Sequence, residues 1–355
     1  MIDAIVYSSL SGSCEEYAHR MSAALHVPFF TEQSHICPTG RKVVYIGWLL
    51  AGKVVGLDKA KERYNVVGVV TMPDKPSGRG LKVNKSDVKL YAEQAGLPIL
   101  QPEKLRDEAF QAALRQWRPD LGIVIAFRML PESVWSLPRL GTFNLHASLL
   151  PQYRGAAPIN RAIMNGEKET GVTTFMLDRD IDTGEIIDSR RTEILPEDNA
   201  GTLHDRLMKM GTELVLSSVE TIAAGGLATR AQSAMAQGEL KPAPKIFKED
   251  CRIDWNAPAE KIVNLVRGLS PRPAAWCEMS REGETTVVKI FDAAAETCDC
   301  APAAGTVLSD GRTYLKVACA GGCVAVREIQ SAGKRRMDVR QWLCGVKDIG
   351  ECKFF

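Results

Sequence analysis

With 355 residues, 45% of them apolar and 25% charged, the chain has enough material for two domains with full cores. Its net charge of +2 excludes a large single-sign field, although a local patch can still form by arrangement. No run approaches the roughly 20 apolar residues that span a bilayer. The opening MIDAIVYSSL carries an early Asp3 and no basic flank, which argues against an export signal. A cytoplasmic protein is expected, and its ten cysteines read as reduced thiols.

The first two-thirds alternates strand and helix patterns. KVVYIGW (Lys42 to Trp48) and NVVGVVT (Asn65 to Thr71) predict apolar strands, with a helix over Leu57 to Tyr64 between them. DVKLYAEQAG (Asp87 to Gly96) predicts a helix closed by glycine. Strands follow at LPIL, LGIVIAF and GTFNLHA, and EAFQAALRQW (Glu108 to Trp117) is the helix between the first two. Near-continuous apolar strands separated by helices predict a parallel sheet covered on both faces. A long helix is expected from a capping-box-like start at Thr202 and Asp205, carried by Leu203, Leu207, Met210, Leu214 and Ile222.

From Ala228 to Lys245 periodicity fades and proline enters, so this stretch reads as a linker. A short helix ending near Gly268 follows. Then come short strands at TTVVKIFDA, GTVLSD, TYLKVACA and GCVAVREIQ, at the intervals of a small antiparallel barrel. The expected division is an atypical extension over 1–41, a catalytic domain over 42–227, a linker over 228–245 and a β-barrel domain over 246–355. Cys298, Cys300, Cys319 and Cys323 have C-x-C and C-x3-C spacings rather than paired C-x2-C, so no metal is expected.

One strand end stands out. In FNLHASLLP, Phe143, Leu145 and Ala147 share one face by the period-2 rule, and Asn144 and His146 share the other. In open parallel sheets, function sits at the carboxyl ends of strands. The loop SLLPQYRGAAPINRAI follows directly, and DRDIDTGEII then supplies Asp182 in a turn. An amide that holds a carbonyl oxygen, an imidazole that donates to it or moves a proton, and a carboxylate that holds the imidazole make an acyl-transfer set. Taken singly, each of the three is an ordinary core or turn residue.

Taken together with FNLHASLLPQYRGAAPINRAI, MPDKPSGRG, LQPEKLRD, APKI, IDW and AGKRRMD, they resemble the methionyl-tRNA formyltransferases from about Tyr64 onward. The resemblance implies a Rossmann-like formyltransferase domain followed by an OB-like barrel that binds tRNA. It implies a reaction of translation initiation and one-carbon metabolism, in which the formyl group of 10-formyltetrahydrofolate passes to the α-amino group of methionyl initiator tRNA. Asn144 and His146 would then polarise the formyl oxygen, and Asp182 would orient His146. No metal and no covalent enzyme intermediate are implied.

Folate would lie against Phe127, Met129, Leu130 and Pro131 and against Ser148, Leu149, Leu150 and Pro151, with Pro151 cis. The loop from Thr71 to Lys85 would reach the tRNA through Lys75, Arg79 and Lys82, with Arg79 as the leading contact. Further phosphate contacts would come from Lys245, Lys248, Arg267, Lys334, Arg335 and Arg336. A monomer is expected.

Residues 1–63 depart from that family. Trp48 and Leu49 stand where the family has Thr-Pro, and AIVYSSLSGSCEEYA resembles the phosphate loop of a flavodoxin. About 60 such residues are too few for a flavin domain, so FMN is not expected. The replaced first unit leaves one alternative open, a catalytically impaired hybrid that binds tRNA or folate. Formyl transfer to glycinamide ribonucleotide or a sugar nucleotide would use the same three polar residues without MPDKPSGRG and this barrel.

Overall fold

The computed structural model describes residues 4–5, 42–46, 64–77, 82–236, 238–298, 302–346 and 348–355. The expected helix over Leu57 to Tyr64, apart from Tyr64 itself, the loop at Trp48 and nearly all of the flavodoxin-like stretch lie outside them. The chain divides into two compact units. One comprises 1–152, 171–190 and 208–240, the other 153–170, 191–207 and 241–355.

The first unit is built on an eight-stranded sheet. Its strands are β1 (Ala4–Ile5), β2 (Lys42–Ile46), β3 (Asn65–Val70), β6 (Ile99–Leu100), β7 (Leu121–Ile125), β8 (Thr142–His146), β9 (Glu169–Met176) and β10 (Ile186–Glu193). The order is β10-β9-β8-β7-β2-β3-β6, with β1 also paired to β7. The pairs β3/β6, β2/β3, β2/β7 and β7/β8 are parallel, as the apolar strands predict. From β2 the chain builds outward through β3 and β6, then returns to lay β7 on the other side of β2. That reversal is the switch point where such sheets bind ligands.

β9, to which the sequence pattern assigned no direction, runs antiparallel to β8 and sets Thr173 opposite His146. A second ribbon, β4 (Lys75–Ser77) with β5 (Lys82–Asn84), is a separate two-stranded hairpin.

Helices α1 (Asp87–Gln94), α2 (Glu108–Gln116) and α3 (Glu132–Trp135) belong to this unit. Ser86 and Asp107 cap the first two by accepting from Lys89 N and Ala109 N. Gly96, at φ +65°, closes α1 in the left-handed conformation that glycine adopts without steric cost. The core joins Val69, Val70, Leu114, Leu121, Ile123 and Phe143, all of them buried.

α4 (Pro158–Met164) follows the SLLP loop, with proline in its first turn. α5 (Ala200–Ala223) begins earlier than expected. Asn199 Oδ1 accepts from Gly201 N and Thr202 N, while Thr202 Oγ1 accepts from Asn199 N. The reciprocal cap is therefore Asn199 with Thr202, because Asn199 stands nearer the helix's first unpaired N–H groups.

The second unit carries α6 (Ala259–Leu269) and strands β11 (Ala275–Arg281), β12 (Glu284–Glu296), β13 (Val307–Ser309), β14 (Leu315–Cys319), β15 (Gly322–Ser331), β16 (Met337–Asp338) and β17 (Lys353–Phe354), with α7 (Val339–Leu343) after β16. The order is β13-β14-β15-β12-β11-β17, with β16 on β15. Thr306 bridges Lys353, so the residue before β13 meets β17 and the sheet curls back on itself as the short-strand pattern predicts. β11 was not legible in the sequence, because PRPAAW reads as loop. The barrel core joins Trp255, Ile262, Val288, Ile290, Val317, Val324 and Phe354.

Candidate active site

β7 and β8 lie side by side and parallel, so the loops after Ile125 and after His146 leave the same edge of the sheet. Thr142, Asn144 and His146 alternate with Phe143 and Leu145. Phe143 is fully buried, and Leu145 packs against the same core. This fixes the opposite face for the three polar side chains. Thr142 Oγ1 donates to Trp135 O at 2.6 Å. Opposite it Gly122 leaves the space, since a Cβ there would run into the Thr142 side chain. His146 is buried, and Asn144 Oδ1 is buried with no hydrogen-bond partner among the described residues. Buried amide oxygens are nearly always paired, so this one is open to a ligand's donor or to water.

The loop after β8 is held by β9. Thr173 Oγ1 donates to Ser148 O at 2.7 Å and accepts from Leu150 N at 3.2 Å. Ser148 is itself fully buried and donates to Gln152 O at 2.6 Å. The Leu150–Pro151 bond is cis, as expected. Leu150 packs with Phe175 and Ile186. Ser148, Leu150 and Pro151 are thus buried within the loop rather than displayed.

The loop after β7 is anchored by Arg128, which donates to Glu103 O at 2.8 Å and Pro102 O at 2.7 Å and stacks 5.5 Å from the Phe127 ring. Phe127 is half-buried against the core and Leu130 is buried, while Pro131 precedes α3 as its N-cap. Met129 is 70% exposed. It is the apolar side chain this loop offers outward.

Asp182 comes from the turn after β9. Its φ is +55°, left-handed, a conformation that Asp tolerates better than most residues. Asp178 stabilises the turn by accepting from Asp180 N at 3.1 Å and Thr183 Oγ1 at 2.8 Å. Arg179 reaches Glu132 at 3.2 Å, which links this turn to the start of α3. Asp182 Oδ2 lies 3.8 Å from His146 Nδ1, an ion-pair distance that closes to a hydrogen bond with a small movement.

The structure therefore brings together Asn144, His146, Asp182 and the two loops named from the sequence. Thr173 and Gln232 hold the site's loops and were not read in the sequence. Ile181 is an exposed apolar residue beside Asp182, and Gln232 lies in the stretch taken as a linker.

The basic candidates are dispersed. Lys75 and Lys82 stand on the β4/β5 ribbon, and Arg79 lies outside the described residues. The ribbon's base is fixed by Asp74, which pairs with Lys89 at 2.5 Å and accepts from Gln101 at 2.9 Å. Partial burial works against the Asp74 carboxylate, but these two hydrogen bonds more than offset it and hold its pKa below the usual range.

In the second unit Lys245 lies 5.5 Å from the exposed Phe247 ring. Lys248 and Arg252 lie 5.5 and 5.4 Å from the Trp276 ring. Lys334, Arg335 and Arg336 are exposed in the turn before β16, where Arg336 pairs with Glu328 and stacks 4.6 Å from Phe291. Arg267 is differently placed. It donates to Asp198 O at 2.8 Å, Leu195 O at 2.7 Å and Asn264 Oδ1 at 3.1 Å, so its guanidinium is engaged with protein acceptors.

Among the described residues no cluster of His, Cys, Asp or Glu is arranged to hold a metal, and no helix is long and apolar enough to cross a membrane. Burial pushes the Cys319 and Cys323 thiols upward, toward the protonated form.

Two family profiles match the chain. One, described as "Formyl transferase", matches residues 47–219, and the other, "Formyl transferase, C-terminal domain", matches residues 245–347. The methionyl-tRNA formyltransferase of Bacteroides thetaiotaomicron is 56% identical over 286 residues, covering 80% of this chain and 89% of that protein. The chain belongs to the methionyl-tRNA formyltransferases. The Bacteroides fragilis member is 55% identical over 79% of this chain and 88% of its own length. Among solved structures, the N-formyltransferase from Helicobacter canadensis, in complex with folinic acid and dTDP-3-aminofucose, superposes with a TM-score of 0.55. It covers 95% of this chain and 100% of its own at 15% identity, so that likeness concerns the fold. The profile match begins at residue 47 and so takes in Trp48, earlier than the resemblance read from Tyr64 onward.

Proposed function

We propose that the chain transfers the formyl group of 10-formyltetrahydrofolate to the α-amino group of methionyl initiator tRNA, acting as a cytoplasmic monomer. The observation that carries this reading is the convergence of Asn144 and His146, at the carboxyl end of β8, with Asp182 from the turn after β9, in a chain that over four-fifths of its length is more than half identical to a methionyl-tRNA formyltransferase. Bound 10-formyltetrahydrofolate supplies the electrophilic formyl carbon. Asn144 presents a buried amide whose oxygen has no partner among the described residues, and such an amide can turn its N–H toward an oxyanion. His146 donates beside it and takes part in moving the amine's proton. Asp182 orients the imidazole through Nδ1. The catalytic power asked of the protein is positioning plus preorganised donors.

The loop after β7, with Met129 outward, and the loop after β8 are the proposed folate walls. The β4/β5 ribbon and the cationic residues around Phe247 and Trp276, with Lys334 to Arg336, are the proposed tRNA contacts. Arg267 is proposed instead as a structural residue, since three of its five N–H groups are engaged with protein acceptors. The rival reading, an impaired binder, rested on a foreign first unit. The profile match from residue 47 removes part of that ground.

The test is formyl transfer from 10-formyltetrahydrofolate to methionyl initiator tRNA, with His146→Ala as comparison. Transfer that depends on His146 supports the reading. Tight tRNA binding without transfer would overturn it in favour of the impaired binder.

A further inference from the structure

We propose that Gln232 is a positioning residue of the transfer reaction, acting through Asp182; this rests on the function proposed above. Gln232 opens a short 3-10 turn over Gln232–Ala234 and is 3% exposed. Its Nε2 donates to Asp182 O at 2.9 Å and to Gly184 O at 2.8 Å. Two carbonyl oxygens at that range require a donor, which fixes the orientation of the amide group. One side chain thus uses both of its N–H groups on the two carbonyls that bracket the turn presenting Asp182.

The surrounding contacts show why the turn needs this. Asp182 sits at φ +55°, where the neighbouring structure must over-determine a non-glycine residue. Gly184 has no room for a Cβ, since one would collide with Met176 O. The turn is therefore pressed against β9 on one side and held by Gln232 on the other. The segment that carries Gln232 is itself fixed. Arg230 exchanges two backbone hydrogen bonds with Ile186, at 2.8 and 2.9 Å, and Thr229 Oγ1 bonds Glu185. Met235 packs on Leu150, Phe175 and Ile186. The same apolar cluster supports the cis-proline loop, so the stretch after α5 clamps both halves of the site. The 3.8 Å between His146 and Asp182 closes to a hydrogen bond only while the turn holds Asp182 in place, and a displacement of about 1 Å in a catalytic group costs about 100-fold in rate.

The test compares wild type, Gln232→Leu, Asp182→Asn and the double variant in formyl transfer, with 10-formyltetrahydrofolate and methionyl initiator tRNA as substrates. Val219→Ala, a truncation at a buried core position of α5 that makes no hydrogen bond to the Asp182 turn, controls for lost stability. Gln232→Leu should lower kcat about 10- to 100-fold, leave both KM values within about threefold, and fall well below Val219→Ala. The double variant should be no slower than Asp182→Asn alone, since a residue that acts through Asp182 has nothing left to position. Wild-type kcat in Gln232→Leu, or a double variant slower by the full product of the two losses, would overturn the inference. Amide hydrogen exchange over residues 181–185 decides the matter independently of turnover. Faster exchange in Gln232→Leu supports the inference, and unchanged exchange refutes it, even if a wild-type chain without transfer activity were to overturn the proposed function.

Discussion

His146 Nδ1 and Asp182 Oδ2 lie 3.8 Å apart, one at the end of a buried strand and the other in a left-handed turn. Both side chains are largely shielded from water, at 7% and 14% exposure. Replacing His146 or Asn144 with alanine is expected to lower kcat by about 10²–10³, the usual worth of an oxyanion donor. Asp182→Asn is expected to lower kcat as well while leaving tRNA affinity intact. Steady-state kinetics on purified variants checks all three, and a variant with normal kcat removes that residue from the site.

Thr173 is the tie between β9 and the SLLP loop. Its hydroxyl serves Ser148 O and Leu150 N at once, and all of these groups are buried. Thr173→Val keeps the shape and removes both bonds. It is expected to destabilise the first unit by about 1–3 kcal/mol, with a fall in kcat because Ser148 to Pro151 lose their support. Chemical denaturation and a kinetic assay on the same preparation read the two effects. A loss of stability alone would mean that the loop does not bear on the reaction.

Arg267 and Lys248 should separate cleanly. Arg267 is bound to Asp198 O, Leu195 O and Asn264, whereas Lys248 is exposed beside Trp276. Arg267→Ala is expected to lower Tm and leave the salt dependence of tRNA binding unchanged. Lys248→Ala should keep Tm and reduce the salt slope by about one unit. Filter binding across a range of salt concentrations distinguishes them, and the reverse pattern would restore Arg267 as a phosphate contact.

Asp198 gives a pH signature. Its side chain is 3% exposed and takes Arg206 at 2.6 Å, Leu195 N at 2.8 Å and Thr202 Oγ1 at 2.9 Å. Burial raises its pKa, but these hydrogen bonds outweigh it and the carboxyl is held below its usual value. A depressed folded-state pKa stabilises the fold at pH above the unfolded value, about 3.9 for aspartate. That stability is lost as pH falls through the lower folded-state value. Asp198→Asn is therefore expected to cost about 1.5–3 kcal/mol near neutrality, with the gap to wild type closing below about pH 4. Denaturation curves at several pH values check this, and a gap that stays constant into acid would rule it out.

The alternation in FNLHA settles that Asn144 and His146 share a face, because a strand's period is fixed at two whatever surrounds it. The apolar runs settle the strands β2, β3 and β7, because strands of a sheet covered on both faces are near-continuously apolar. These are local properties, and the sequence by itself determined them. The tertiary structure alone decided the rest. β9 runs antiparallel and brings Thr173 to the SLLP loop, a contact no local pattern encodes. Arg267 reads as a free cation in the sequence, yet the fold delivers three acceptors to it from Leu195, Asp198 and Asn264. Gln232, in a stretch without periodicity, meets the Asp182 turn from 50 residues away. Hydrogen-bond partners are chosen by distance in space, and that distance exists only once the sheet has closed around them.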